Sequence, residues 1–337
     1  MLPERRLTSI FFGGGTPSLM EPATVAAIIE TARQVWPTPG DLEITLEANP
    51  NSVEAARFAD LALAGVNRLS LGLQSFDDDA MAFLGRAHSA SEGLRALGTA
   101  QQNFDRVSFD LIYALPGDTD DRWSATLDRA LALGTSHLSL YQLTIEPGTR
   151  FASMVARHDF EPLDGDNAAA LYELTDNLTT MAGMPLYEFS NYARPGQESR
   201  HNLTYWRYGD YAGIGPGAHG RRLGMRTMRH RKPENFLSSV RRNGHGIVDE
   251  FPLSRSEAAD EALVMGLRLR EGVDAEAIAY RFGLQSIVDW HRVDRLVKSG
   301  HLTREGAKIA LTARGRLLLD HILCEIAEVA PMASAVA

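Results

Sequence analysis

The sequence predicts an α/β fold, a parallel sheet covered by helices, followed by a smaller helical domain with a β-wing. Three observations carry this. Short apolar segments alternate with helical ones over the first two thirds of the chain. Polar residues sit at the C-terminal ends of those apolar segments. From about Ser254 onward the pattern becomes helical, with a turn-rich break near Gly300–Lys308. Alternation of this kind builds parallel sheets whose helices cover the faces.

Leu7–Phe12 reads as the first strand and ends in Gly13, Gly14 and Gly15. Pro22–Val35 has helical apolar spacing, Leu42–Leu46 is the next strand, and Val53–Ala64 the next helix. Arg68–Leu73, Val107–Ala114 and His137–Ile145 are further strands, with helices near Ser89–Gln102 and Arg122–Leu133 between them. Asp166–Met181 places apolar residues at core-helix spacing. A Gly- and aromatic-rich stretch, Tyr187–Gly220, precedes a basic run, Arg221–Lys232. Ala275–Phe282, Val288–Lys298, the Gly300–Lys308 turn and Leu311–Val329 then follow in the order of a winged helix.

Composition narrows the function. Of 337 residues, 44% are hydrophobic and 23% charged, as in an ordinary globular chain. No run of about 18 apolar residues appears, and MLPERRLTSIFF lacks a signal-peptide core, so a cytoplasmic protein is expected. The net charge of −9 disfavours a nucleic-acid binder, whose affinity rests on clustered Lys and Arg. The single cysteine, Cys324, allows no internal disulfide and no cluster held by three or four thiolates of this chain. Its apolar neighbours predict a buried thiol.

In parallel α/β folds, sites lie at the C-terminal ends of strands. Glu47, Gln74 and Asp110 occupy such ends and are candidates on that ground. FFGGGTPS (Phe11–Ser18) lets the backbone approach a ligand closely, and its amides suit polar or charged ligand atoms. The same segment also suits a plain turn before a helix capped by Thr16 or Ser18. Glu47 and Asp110 also suit ion pairs at the sheet's edge, and Arg86 a solvated surface charge. No HExxH or paired histidine spacing marks a zinc site.

FFGGGTPS, EANP (Glu47–Pro50), SLGLQSF (Ser70–Phe76), LGRAH (Leu84–His88) and DLIYALPG (Asp110–Gly117) occur in that order at or just beyond successive strand ends. Together they resemble the radical S-adenosylmethionine family related to oxygen-independent coproporphyrinogen III oxidase. The resemblance implies an incomplete (β/α) barrel over about residues 7–220 and a winged-helix-like domain over about 254–330. The expected domains are 1–220, a basic connector 221–253, and 254–337. The resemblance also implies site roles. Gly14, Gly15 and Thr16 hold the methionine amino end of S-adenosylmethionine, and Glu47 contacts the cofactor. Gln74 and Asp110 meet its ribose and methionine parts, and Arg86 pairs with its carboxylate. His219, in GIGPGAHG (Gly213–Gly220), closes the adenine end or serves only as a turn.

HNLTYW (His201–Trp206) resembles the HNxxYW motif of the haem-chaperone branch. It implies His201 as a haem contact, with Tyr205 and Trp206 packing on the porphyrin; a capped loop histidine is the alternative. Haem and haem-accepting proteins are the implied partners. The basic run is expected to be a solvated strand or turn, or to meet haem propionates or a membrane surface. The leading expectation is a haem chaperone; the rival is the oxidative decarboxylation of coproporphyrinogen III. A barrel hydrolase or aldolase lacks a nucleophile–base pair or Schiff-base lysine. The family holds a [4Fe–4S] cluster through CxxxCxxC on the loop after its first barrel strand. That strand and its cysteines have no counterpart here, so no radical chemistry is expected of the chain as written. A fragment or a start assigned too late is the favoured explanation.

Overall fold

The computed structural model describes residues 4–38 and 40–327. The chain divides into two compact units, Met1–His201 and Asn202–Ala337.

The first unit is built on a seven-stranded sheet. Its strands are β1 (Ser9–Phe12), β2 (Glu43–Ala48), β3 (Arg68–Gln74), β4 (Arg106–Tyr113), β5 (His137–Gln142), β6 (Leu186–Glu188) and β7 (Asn191–Ala193). The order is β1-β2-β3-β4-β5-β7-β6. β1 to β5 are mutually parallel; β7 runs antiparallel to β5, and β6 antiparallel to β7. Helices Pro22–Val35, Ala90–Asn103, Asp120–Ala132 and Gly165–Met181 lie within a few residues of the sequence expectation. The expected helix over 53–64 is instead two short ones, Ser52–Ala55 and Phe58–Leu63.

The two faces of the sheet differ in chemistry, because side chains alternate along a strand. One face carries Ile44 and Leu46 of β2, Leu69 and Leu71 of β3, Phe109 and Leu111 of β4, and Leu138 and Leu140 of β5, all at 1% exposure or less. This face forms the core with Val25, Ile29, Leu97, Trp123, Leu127 and Leu171 of the covering helices. Trp123 stacks on Tyr113 at 4.9 Å and donates its indole N–H to Thr175 Oγ1 at 2.7 Å, which satisfies the one polar atom the ring brings inside. The opposite face is mainly polar along β2 to β5, while β1 places Phe11 on it beside Thr45. Thr45 pairs with Arg68, Glu47 with Ser70, Ser70 with Ser108, Ser108 with His137, and Asp110 with Ser139.

The second unit holds two three-stranded antiparallel sheets. The first has the order β10-β9-β8, with β8 His219–Arg222, β9 Met225–Arg229 and β10 Ile247–Pro252. Residues 221–253 are therefore mostly strand and helix, with Pro233–Asn243 between β9 and β10. Arg221 is buried among Tyr208, Tyr211 and Met265, where the sequence suggested a solvated run. Helices Arg255–Gly266, Ala275–Phe282 and Trp290–Lys298 follow, each with an N-cap, namely Ser254, Asp274 and Asp289. The second sheet has the order β11-β13-β12, with β11 Val273–Asp274, β12 Leu302–Glu305 and β13 Lys308–Leu311. Its β12–β13 hairpin is the β-wing expected around the Gly300–Lys308 turn.

The expected helix over 311–329 is two helices, Ala313–Arg316 and Leu319–Ile326, and its last two positions lie outside the described residues. Cys324 is exposed, which corrects the expectation of a buried thiol. Helix 319–326 buries Leu319, Ile322, Leu323 and Ile326, and Cys324 falls off that stripe.

Candidate functional site

The polar face of the first sheet opens into a cleft of about 200 Å³ at the C-terminal strand ends. Gly15 and Thr16 after β1, Glu47 of β2, Gly72 of β3, Asp110 of β4 and Tyr141 of β5 are among its lining residues. The site thus forms where parallel strands deliver their last polar side chains.

The glycine turn works by backbone conformation. Gly14 and Gly15 have φ of 74° and 46°, in the left-handed region that favours glycine. The Gly14 N–H donates to Glu47 Oε2 at 3.1 Å and so joins the turn to β2. A Cβ on Gly13 would run into the Phe11 ring. Thr16 makes no side-chain cap, and Ser18 Oγ donates to Glu54 instead of capping a helix. Glu54 is buried and also accepts from Asn49 N at 2.8 Å and Asn51 Nδ2 at 2.6 Å. This carboxylate therefore pins the loops after β1 and β2 to each other. Sequence reading missed it; its signal was Asn51 three residues ahead, an N-cap with an acid at N3.

Asp110 is the buried carboxylate of the cleft. Its Oδ2 accepts from Gln74 Nε2 at 2.8 Å. Its Oδ1 is out of contact with solvent and has no hydrogen-bond partner among the described residues. Burial pushes its carboxyl up to about 6, against the opposing effects of the Gln74 bond and the Arg86 charge. Burial likewise raises Glu47, opposed by the Gly14 amide. Tyr141 is pushed up to about 12 by burial and by the Asp110 carboxylate. The cleft therefore presents two carboxylates held back from ionisation and one acceptor atom awaiting a donor. An ammonium or a ribose hydroxyl supplies such a donor. S-adenosylmethionine carries both, so the residues present fit it.

Arg86 lies in the loop between helices Asp78–Phe83 and Ala90–Asn103, not on a helix, and is exposed. Its charge acts on Asp110, which places it within electrostatic reach of the cleft.

His201 belongs to helix Arg200–Trp206. Its ring stacks on Phe11 at 4.1 Å with 12° between planes, and its backbone N–H donates to Glu43 Oε1 at 3.2 Å. Burial is the main reason its pKa falls to about 4, so the imidazole is neutral at pH 7. Tyr205, Trp206 and His219 belong to the second unit. There the Tyr205 ring lies 4.3 Å from Tyr211, Arg268 sits 5.0 Å over Trp206, and His219 opens β8 in an exposed position.

The residues present do not fit a [4Fe–4S] cluster. Cys324 is the only thiol in the chain, and no group of three or more His, Cys, Asp or Glu among the described residues could hold a metal ion.

Comparison with known proteins agrees with this fold. The radical SAM superfamily model matches residues 1–130, and the HemN C-terminal domain model matches residues 253–318. Radical S-adenosyl methionine domain-containing protein 1, mitochondrial, from Mus musculus is 45% identical over 278 residues, which cover 80% of this chain and 63% of that protein. The protein of the same name from Bos taurus is 40% identical over 327 residues, covering 94% of this chain and 71% of that one. The heme chaperone HemW of Escherichia coli (strain K12) is 38% identical over 327 residues, covering 95% and 84%. The solved structure of coproporphyrinogen III oxidase (HemN) from Escherichia coli superposes with a TM-score of 0.77 at 22% identity, over 95% of this chain and 77% of that chain, and shares its fold. The chain belongs to the radical SAM superfamily, in the family that contains HemW and radical S-adenosyl methionine domain-containing protein 1.

Proposed function

We propose that this chain is a haem chaperone that binds S-adenosylmethionine in the cleft of its first unit, takes up haem and delivers it to acceptor proteins. The observation that carries the reading is the Asp110 Oδ1, unpartnered among the described residues, in a carboxylate-lined cleft of a chain that bears HNLTYW and is 38% identical to a heme chaperone.

In this reading Asp110, held by Gln74, accepts from the ribose hydroxyls or the ammonium, and Glu47 offers a second acceptor. Gly14, Gly15 and Thr16 bring backbone against the methionine end, and Arg86 meets its carboxylate with a planar fork. Bound there, S-adenosylmethionine supplies an activated sulfonium. His201 is the axial contact to haem, since a neutral imidazole keeps a lone pair for iron. Tyr205 and Trp206 of the same helix pack against the porphyrin.

Exposed Arg231, Lys232, Arg241 and Arg242 of the second unit suit haem propionates or lipid headgroups. The reading includes no nucleic-acid partner, and the pairing of Arg295 and Arg304 around the wing with Glu325 and Asp294 supports it. No helix among the described residues is long and apolar enough to cross a membrane, and a cytoplasmic setting completes the reading.

The test is a haem titration followed by its Soret band, with transfer to a haem-free globin as the acceptor assay. Wild type is expected to give a shifted band that His201→Ala alters, and to load the globin. An unaltered band in His201→Ala overturns axial ligation. Conversion of coproporphyrinogen III overturns a chaperone-only role.

A further inference from the structure

Each of β2 to β5 begins with a charged or titratable residue on the polar face: Glu43, Arg68, Arg106 and His137. Most of this layer is fully engaged. Glu43 Oε2 accepts from Arg106 Nη1 at 2.8 Å, while Oε1 accepts the backbone N–H groups of Arg200 and His201 at 2.9 and 3.2 Å. Arg106 also donates to Gln197 Oε1 and to the carbonyls of Gln197 and Glu198, each at 3.1 Å. His137 lies between Ser108 Oγ at 2.8 Å and Tyr187 OH at 2.9 Å. Burial holds its pKa well below the usual histidine range, so it adds no charge at pH 7.

Arg68 is different. It is 3% exposed, and its guanidinium reaches Thr45 Oγ1 at 3.5 Å, the outer limit of a hydrogen bond. A guanidinium has five N–H donors, and burying it without acceptors is costly. Glu43 attracts it but already has Arg106 within bonding distance, so the layer holds two guanidinium charges against one carboxylate. Above Arg68 on the same face of β3 come Ser70 and Gly72, both lining the cleft. Successive same-face residues are about 7 Å apart, within the reach of an arginine side chain. Tyr141, on the cleft wall, lies within electrostatic range of Arg68. On β3 only the small residues Ser70 and Gly72 separate the cleft lining from Arg68, which does not itself line the cleft.

We propose that Arg68 is a carboxylate anchor at the floor of the cleft. A carboxylate reaching past Ser70 and Gly72 completes the guanidinium fork with two parallel hydrogen bonds and neutralises the surplus positive charge. Two ligands of the proposed function offer such a group: a haem propionate, and the amino-acid carboxylate of S-adenosylmethionine, which would then meet Arg68 in place of Arg86. The anchor itself does not depend on which one enters.

The test measures affinities of wild type, Arg68→Lys and Arg68→Met for two probe pairs. One pair is haem and its propionate dimethyl ester; the other is S-adenosylmethionine and decarboxylated S-adenosylmethionine. Wild type is expected to prefer the carboxylate form of one pair by about 30-fold or more, the scale of losing one partner of a buried charge pair. Arg68→Met is expected to bring that ratio close to one, and Arg68→Lys to recover only part of it, because an ammonium lacks the fork. The pair that responds identifies the carboxylate. An undiminished ratio in Arg68→Met overturns the proposal, as does the absence of any preference in wild type. Should Arg68→Met fail to fold by circular dichroism, an undiminished ratio in Arg68→Lys overturns it equally. Loss of haem binding with the S-adenosylmethionine pair still responding would sink the chaperone reading and leave the anchor standing.

Discussion

Gln74 reaches Asp110 from a left-handed backbone: with φ at 70°, its Nε2 lies 2.8 Å from Asp110 Oδ2. A non-glycine residue there stores strain of about 1 kcal/mol, which persists where the surroundings hold it in place. The bond leaves Oδ2 occupied and Oδ1 open. Gln74→Gly is expected to relieve the strain and Gln74→Ala to keep it, so the glycine variant is the more stable of the two by about 1 kcal/mol. Both lose the hydrogen bond that favours the ionised carboxylate, so the Asp110 titration moves above its wild-type midpoint of about 6. Carboxyl-carbon NMR of the three proteins reads both effects against their melting curves.

Asp110 also couples the site to stability. Its folded pKa of about 6 stands above the ordinary 3.8. The folded state therefore holds the proton more tightly than the unfolded state. That stabilisation is complete below about pH 3.8 and is lost as pH rises through 6. Asp110→Asn is expected to stabilise the ligand-free protein at pH 8 by about 1–3 kcal/mol, with little effect at pH 3.5. The same variant is expected to lose S-adenosylmethionine affinity, since the amide is the weaker acceptor for an ammonium. Paired denaturant titrations at the two pH values check the sign.

Removal of Glu54 is expected to act through the turn it holds. Glu54→Ala leaves the Ser18 hydroxyl and the Asn49 amide without their acceptor. A loss of about 2–3 kcal/mol is expected, the scale for orphaned buried donors. Hydrogen exchange is expected to speed up in Gly13–Ser18 and Asn49–Asn51 before the rest of the sheet. Uniform exchange would mean that the two loops are not joined through this carboxylate.

Arg86 is exposed, so Arg86→Ala is expected to change the melting temperature little, within about 0.5 kcal/mol. Its affinity for S-adenosylmethionine is expected to fall about tenfold, the scale of one hydrogen bond to a charged group. Equilibrium dialysis measures it, and an unchanged affinity removes Arg86 from the site.

The sequence was most legible where a single periodicity ruled. Leu69, Leu71, Phe109 and Leu111 alternate with polar neighbours, and their strands appear within two residues of expectation. Glu47 and Asp110 were visible as the last charged residues of such strands, although Asp110 lies within β4 and not at its end. Contacts distant in sequence were not legible. The Arg106–Glu43 pair spans 63 residues and the Phe11–His201 stack spans the whole first unit, so no local pattern announces either. Charge also misled in the second unit. Arg221 reads as surface, yet it is buried with its guanidinium 3.5 Å from the Tyr208 ring centroid and bonded to the Gly209 carbonyl. Cys324 misled the other way, because a short helix leaves only one stripe inside and its sulfur lies beyond it.

The two faces of the first sheet have a consequence for how this protein can change over generations. Helices pack on the apolar face, while the groups that would meet ligands stand on the other. Replacement of Ser70 or Ser139, which line the cleft, is expected to alter which molecule it accepts without touching a helix contact. Replacement of Leu71 or Phe109 does the reverse. Selection can therefore redraw the ligand preference one strand position at a time, on a scaffold whose own stability is written on the alternate residues.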